Sequence, residues 1–496
     1  MGKIAGPALE AQIPAGVNLT QDFALLRQRM RATGISLAGL EGAWWLPAAE
    51  PFVLPAQAAA DLAAIGRAIF ALFDAVTSLY GTPAGAKGGL DALLNYRVPP
   101  TIPRLMSQGR VESVRPDFQL ILTPELISQP PTITPNTQDA RRKTQDAPRF
   151  IATELEICPS AHGYAHAMQV GYGLPTDLAA GFARYLQGRE LLFVGTEQWS
   201  EFLFEQLAFC RALAEVGGRG RVLYDVPLAA MAAEVNKGQR WHRPGFGIKE
   251  KPAAWHFDDL LGRVRAYGFE PFVYPDAAGW PDDVGQGVVF RFGYFDCFSP
   301  EKLRRFIRWQ AKGATLLNPA MFILDSKTIL AALNLPVVRE RIVAAQPDAL
   351  AVLDSSIPET RLVQPETIAG ILDQKDDWII KYAGFDGDNQ AWGGRSLRVG
   401  RHYSAESWRT ILTEALALPW PVVAQRLVPS AQIDLAYLDP ANEVRLMRQG
   451  TTRLRVFFLR HQAETLVCGP HLTVSGGTMQ VSEATDAIQA PVVFRD

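Results

Sequence analysis

The sequence predicts an α+β protein built from several units, and three patterns predict it. The first hundred residues space their apolar side chains as helices do, a strand–helix–strand run begins at Leu191, and the last third alternates like antiparallel strands. Length agrees, because 496 residues exceed the roughly 250 to 300 at which a single core stops growing.

In chain order, residues 20–33 and 56–79 carry apolar residues at threes and fours, which predicts amphipathic helices in a largely helical N-terminal region, 1–110. VESVRPDFQLIL then reads as extended, 128–148 as a polar, proline-rich loop, and RFIATELEI as a strand ended by Pro159 and Gly163. These two acidic strands fall in a segment spanning 111–174. LLFVG, the helix-like WSEFLFEQLAFCRALAEVGG and RVLYDVP have the order and length of a right-handed βαβ unit, which predicts an inserted α/β substrate domain, 175–317. The remainder, 318–496, holds WIIKYAG, a glycine-rich loop, a helix from Ser404 to Leu418 and several antiparallel strands.

Composition narrows the function classes. With 48% hydrophobic and 20% charged residues the chain has the make-up of a soluble globular protein. Its 49 basic and 51 acidic residues leave a net charge of −2, so no broad positive field draws nucleic acid or an anionic membrane, and any polyanion has to be held locally. Cys158, Cys210, Cys297 and Cys468 lie far apart without a CxxC pair, which predicts free buried thiols rather than a zinc knuckle or redox motif. The first residues lack a signal-peptide pattern and no run nears the ~18 consecutive apolar residues of a membrane span, so a cytoplasmic location is expected.

Four stretches are candidates for chemistry. Lys381 ends an apolar strand and precedes a loop holding Gly384, Gly387, Gly393 and Gly394. Lysine supplies a point charge for phosphate, and glycines let backbone N–H groups approach its oxygens. The plainer alternative is a hairpin loop with a solvated lysine. In ATELEICP, alternation puts Glu154 and Glu156 on one strand face, where they repel unless a cation lies between them; the alternative is an edge strand with exposed acids. His162 and His166, four apart, suit the wall of a substrate pocket better than a metal site, since no Glu-x-x partner accompanies them. Trp241, His242 and Arg243 beside Lys237, Lys249 and Lys251 form a basic aromatic patch, open to an acidic substrate or simply solvated.

The order of the pieces adds a resemblance. Lys327 in NPAMFILDSKTILAAL, IPET ending at Thr360, Lys381, the glycine loop, a helix and then PVVAQRLV resemble the nucleotide half of an ATP-grasp enzyme over residues 318–430. The resemblance implies Lys327 and Lys381 at the ATP phosphates, the four glycines over them, Gln425, Arg426, Leu427 and Val428 along the adenine, and Asp434 or Gln432 at the ribose. Arg115-Pro-Asp117 and Glu154-Leu-Glu156 stand far upstream of these lysines, an order similar to circularly permuted ATP-grasp proteins of the glutathionylspermidine synthetase type. That resemblance implies a permuted glutathione synthetase ATP-binding-domain-like fold, Arg115 on the transferring phosphate, and Asp117, Glu154 and Glu156 around Mg²⁺; Ser160 and His162 are expected at the substrate. Glu156 departs from the family asparagine, and Ile157-Cys-Pro-Ser160 from its Asp-Thr-Pro-Thr run. The implied activity is ATP- and Mg²⁺-dependent ligation of a small-molecule carboxylate to an amine through an acyl phosphate. A kinase that stops at phosphoryl transfer and a nucleotide-binding protein without ligase activity are the alternatives. Neither substrate nor the oligomeric state is legible.

Overall fold

The computed structural model describes residues 23–35, 45–122, 147–196, 202–228, 242–243, 247–248, 260–275, 280–385, 396–439, 443–476 and 487–496. In chain order its strands are β1 (Trp45–Pro47), β2 (Phe52–Pro55), β3 (Ser113–Ile121), β4 (Arg149–Glu156), β5 (Glu190–Gly195), β6 (Arg219–Tyr224), β7 (His242–Arg243), β8 (Gly247–Ile248) and β9 (Val288–Arg291). They continue with β10 (Thr315–Leu316), β11 (Thr360–Leu362), β12 (Trp378–Tyr382), β13 (Arg398–Val399), β14 (Val422–Arg426), β15 (Gln432–Leu438), β16 (Val444–His461), β17 (Glu464–Ser475) and β18 (Ala487–Arg495).

The largest sheet draws on both ends of the chain. Eight strands form it in the order β1-β18-β17-β16-β3-β4, with β15 also on β16 and β2 also on β18. Both β1 and β2 run parallel to β18, so the N-terminal region, expected to be largely helical, contributes two strands. Strands of three and four residues are too short to show a period of two in the sequence. Against this sheet lies the helix Gln57–Leu79, which buries Leu62, Ile65, Ile69, Phe73 and Val76. Each such side chain, fully buried, stabilises the fold by about 1.5–3 kcal/mol. Gly66 is required by the approach: a Cβ there would lie 2.9 Å from the Phe458 ring of β16. This helix is long and apolar enough to cross a membrane, but 67% of its apolar window is buried inside the molecule.

A second sheet, β10-β9-β5-β6, is wholly parallel. Its β5, the helix Leu203–Glu215 and β6 form the strand–helix–strand unit read at Leu191. The strands are unbroken apolar runs, Leu191 to Val194 and Val288 to Phe290, all buried, as a parallel sheet covered on both faces demands. The third sheet, β11-β14-β12-β13, is antiparallel and has its own small core of Ile371, Trp378, Ile380, Trp408, Leu412 and Val422.

Candidate functional site

The site grows from one irregularity in the large sheet. Along β3, period two sends Val114, Phe118 and Leu120 into the core and turns Arg115 and Asp117 to the other face. Strand β4 pairs with it as Arg115↔Glu156 and Asp117↔Glu154, then as Phe118↔Ala152, so that Thr153 is an extra residue opposite no partner. A bulge of this kind reverses the facing of the strand beyond it. Phe150 and Ala152 therefore pack in the core, whereas Glu154 and Glu156 lie on the same face as Asp117 and Arg115. On the far side β16 sets Arg455 directly across from Asp117, with Arg453 one period along.

Each charge in this row has a partner. Arg115 pairs with Glu156 and donates through Nη1 to the Ser160 carbonyl at 2.7 Å. Arg455 Nε lies 3.0 Å from Asp117 Oδ1, and Arg453 Nη1 lies 3.3 Å from Asp117 Oδ2. The Ser160 carbonyl is held by a turn in which Ala161 takes φ +79° and donates its N–H to Glu205 Oε1, 2.5 Å away on the helix Leu203–Glu215. Tyr294 reaches Glu156 Oε1 at 3.5 Å.

Both lysines of the downstream half arrive at the bulge. Lys381 Nζ on β12 donates to the carbonyl of the bulged Thr153 at 3.1 Å and to Gln425 Oε1 on β14 at 2.8 Å; Gln425 Nε2 in turn donates to Thr360 Oγ1 at 3.1 Å. Lys327 Nζ lies 3.0 Å from Glu154 Oε1, and its backbone N–H donates to the Ala383 carbonyl, tying the two lysine segments together. Just ahead of Lys327, Asp325 is sealed in a two-pronged pair with Arg291, at 2.8 and 2.9 Å. Five cationic side chains, Arg115, Lys327, Lys381, Arg453 and Arg455, thus face three carboxylates, with Glu205 a fourth behind the Ser160 turn.

Burial tunes these groups. It would raise the Asp117 carboxyl, but Arg455, Arg453 and Arg115 overcome it and hold Asp117 well below the ordinary carboxylate range. Burial and the neighbouring Asp117 and Glu154 outweigh Arg115 at Glu156, whose pKa is raised. Lys381 is lowered to about 7, chiefly by burial and also by Lys327 and Arg453, against the pull of Glu154 and Asp117.

Several sequence expectations change here. The three proposed magnesium carboxylates do share a face, but they do not fit a metal site. Asp117 is covered on both oxygens by guanidinium groups, Glu156 is paired with Arg115, and Glu154 with Lys327. No group of three or more His, Cys, Asp or Glu placed to hold a metal occurs among the described residues. His162 is not a pocket wall: it is fully buried in a box of Phe182, Phe193, Phe209, Phe290 and Phe457, and burial pushes its pKa well down. Ser160 gives its carbonyl to Arg115.

Of the adenine-edge segment, Gln425 is buried against Lys381, Arg426 lies 4.2 Å over the Trp378 ring beside Glu359, and the Leu427 N–H is bonded to the Asp377 carbonyl. Val428 follows β14 in irregular chain. The Asp434 carboxylate is held by Arg448 and the Gln449 N–H in the β15–β16 hairpin. Gly384 takes φ +131° as the chain leaves β12. The other loop glycines, Gly387, Gly393 and Gly394, lie outside the described residues, as do Trp241, Lys237, Lys249 and Lys251 of the basic patch. The sequence reading missed Arg453, Arg455 and Glu205. TRLR alternates as ELE does, and that alternation is the signal that would have found the arginines.

No family model matches the chain, and no curated protein matches it. Among solved structures, a glutathione synthetase-like effector from Globodera pallida, in the apo form, has 10% identity and a TM-score of 0.49, over 97% of this chain and 99% of its own. A protein assigned as a γ-glutamylcysteine synthetase from Methylobacillus flagellatus KT has 9% identity and a TM-score of 0.34, over 82% and 85%. Likenesses this distant carry no function to the chain.

Proposed function

We propose that the chain is an ATP-grasp-like, ATP-dependent carboxylate–amine ligase. The observation that carries this is the meeting of Lys327 and Lys381 with the Arg115 row at the Thr153 bulge, from segments 228 residues apart in the case of Lys381. Folding brings this many cations into one place only at a cost in desolvation and mutual repulsion, and an anionic ligand offsets it.

In the proposed reaction a substrate carboxylate oxygen attacks the γ-phosphorus of ATP, ADP leaves, and an acyl phosphate forms. An amine then attacks the acyl carbon, the C–O bond to phosphate breaks, and amide, inorganic phosphate and a proton are released. The chain's part is positioning and charge neutralisation: Lys327 and Lys381 at the phosphates and Arg115 at the group being transferred. Mg²⁺ at Asp117, Glu154 and Glu156 has no role in this scheme, because each of these carboxylates is already paired with a cationic side chain.

The paired state of Asp117 also favours a second reading, a polyphosphate-binding protein without ligase chemistry. Release of ADP separates the two. With ATP and a panel of amino acids and peptides as both carboxylate and amine, the ligase reading expects ADP release that depends on both components. ADP release with neither present, or none with any pair, alongside ATP binding, supports the second reading. Lys381→Ala abolishes release in the first case.

A further inference from the structure

The two arginines of β16 both reach Asp117, and Arg455 is the more firmly built. Arg455 covers Asp117 from directly across the sheet, Nε to Oδ1 at 3.0 Å and Nη2 to Oδ2 at 3.4 Å. It is braced from behind as well: Nη1 donates to Thr473 Oγ1 at 2.9 Å, which donates to Gln489 Oε1 at 2.9 Å. A guanidinium fixed on both sides in a buried chain of hydrogen bonds is a permanent counter-ion, and displacing it would strand a buried charge. Arg453, on the same face one period along, keeps 13% of its side chain exposed while reaching Asp117, and its charge also acts on Lys381.

We infer that Arg453, together with Arg115, Lys327 and Lys381, neutralises a polyphosphate in place of a divalent cation, so that the site takes the metal-free triphosphate of a nucleotide. The inference rests on the nucleotide reading above. Arg455 fixes the position of Asp117, and Arg453 meets the anion. Guanidinium groups suit this role because they present paired N–H donors to phosphate oxygens and stay charged when desolvated. A site already richer in cations than in carboxylates gains little from a further dication, whereas an anion of several charges completes it.

Calorimetry on the full chain tests this, with ATP and with inorganic tripolyphosphate, each in EDTA and in excess MgCl₂, and with MgCl₂ alone. The expected result is an ATP affinity that differs by less than about threefold between EDTA and MgCl₂, and no heat from MgCl₂ alone. Arg453→Gln, which keeps the side chain polar and leaves Arg455 on Asp117, is expected to lose about tenfold in EDTA. ATP binding that requires MgCl₂, or heat from MgCl₂ alone, overturns the inference while leaving the nucleotide reading intact. Tripolyphosphate bound in EDTA without ATP binding keeps the polyphosphate site and overturns the nucleotide. Failure of both anions in both buffers overturns both, and an unchanged Arg453→Gln removes that residue from the site.

Discussion

Arg291 with Asp325 and the Arg115 row are both buried ionic groups within one molecule, but they are composed differently. Arg291 and Asp325 are one to one, 1% and 2% exposed, joined by two parallel hydrogen bonds, with the Phe295 N–H also on the carboxylate. The row at the bulge has more cations than carboxylates, and Glu154 and Glu156 keep 19% and 15% of their side chains exposed. A balanced, sealed pair is complete without a ligand. An unbalanced one that opens at an edge is completed by something of the missing sign. The lesson is that charge balance and access, rather than burial alone, separate a structural ion pair from a candidate binding site.

The largest expected effect breaks the sealed pair. Asp325→Ala leaves Arg291 buried and uncompensated, and is expected to cost about 3–5 kcal/mol in urea unfolding. A loss no larger than that of an exposed substitution would mean that Arg291 finds water, and the contrast between the two groups would dissolve.

An intermediate effect sharpens the other side of the comparison. Because burial lowers Lys381 to about 7, from 10.5, the folded chain releases this proton before the unfolded chain does. Stability therefore rises with pH between about 7 and 10.5; it is lost progressively as pH falls across that window and does not depend on this group below about 7. Glu154 and Asp117 pull against this shift while Lys327 and Arg453 add to it. A bound polyphosphate recharges the lysine, so binding above pH 7 is expected to take up a proton, with affinity falling by up to about tenfold per pH unit. Calorimetry in buffers of different ionisation enthalpy reads that proton directly. Lys381→Met should abolish it, and uptake that persists in the variant would assign it elsewhere.

The smallest effect concerns His162. Neither ring nitrogen has a hydrogen-bond partner among the described residues, and five phenylalanines enclose it. His162→Phe replaces an unsatisfied polar ring by an apolar one of similar shape, so unfolding free energy should change by less than about 1 kcal/mol and ligand affinity not at all. A loss of affinity would return His162 to the substrate side, where the sequence had suggested it.

Much of this was readable from the chain alone. Period two in RPDF and TELE determined that Arg115 goes with Asp117 and Glu154 with Glu156, because facing along a strand is a local property. Helical spacing marked Gln57–Leu79, and the unbroken apolar runs at Leu191 and Val288 marked buried strands. Tertiary structure decided what those faces meet. The Thr153 bulge, which turns the acids of β4 toward Asp117 and bares a carbonyl to Lys381, depends on register against β3 and has no local signature. The arginines of β16 reach Asp117 from 336 and 338 residues away, and that pairing, not the identity of the acid, withdraws Asp117 from a metal. Sequence specifies which charges share a face; only packing determines whether each charge already has its counter-ion, since that depends on partners distant in the chain.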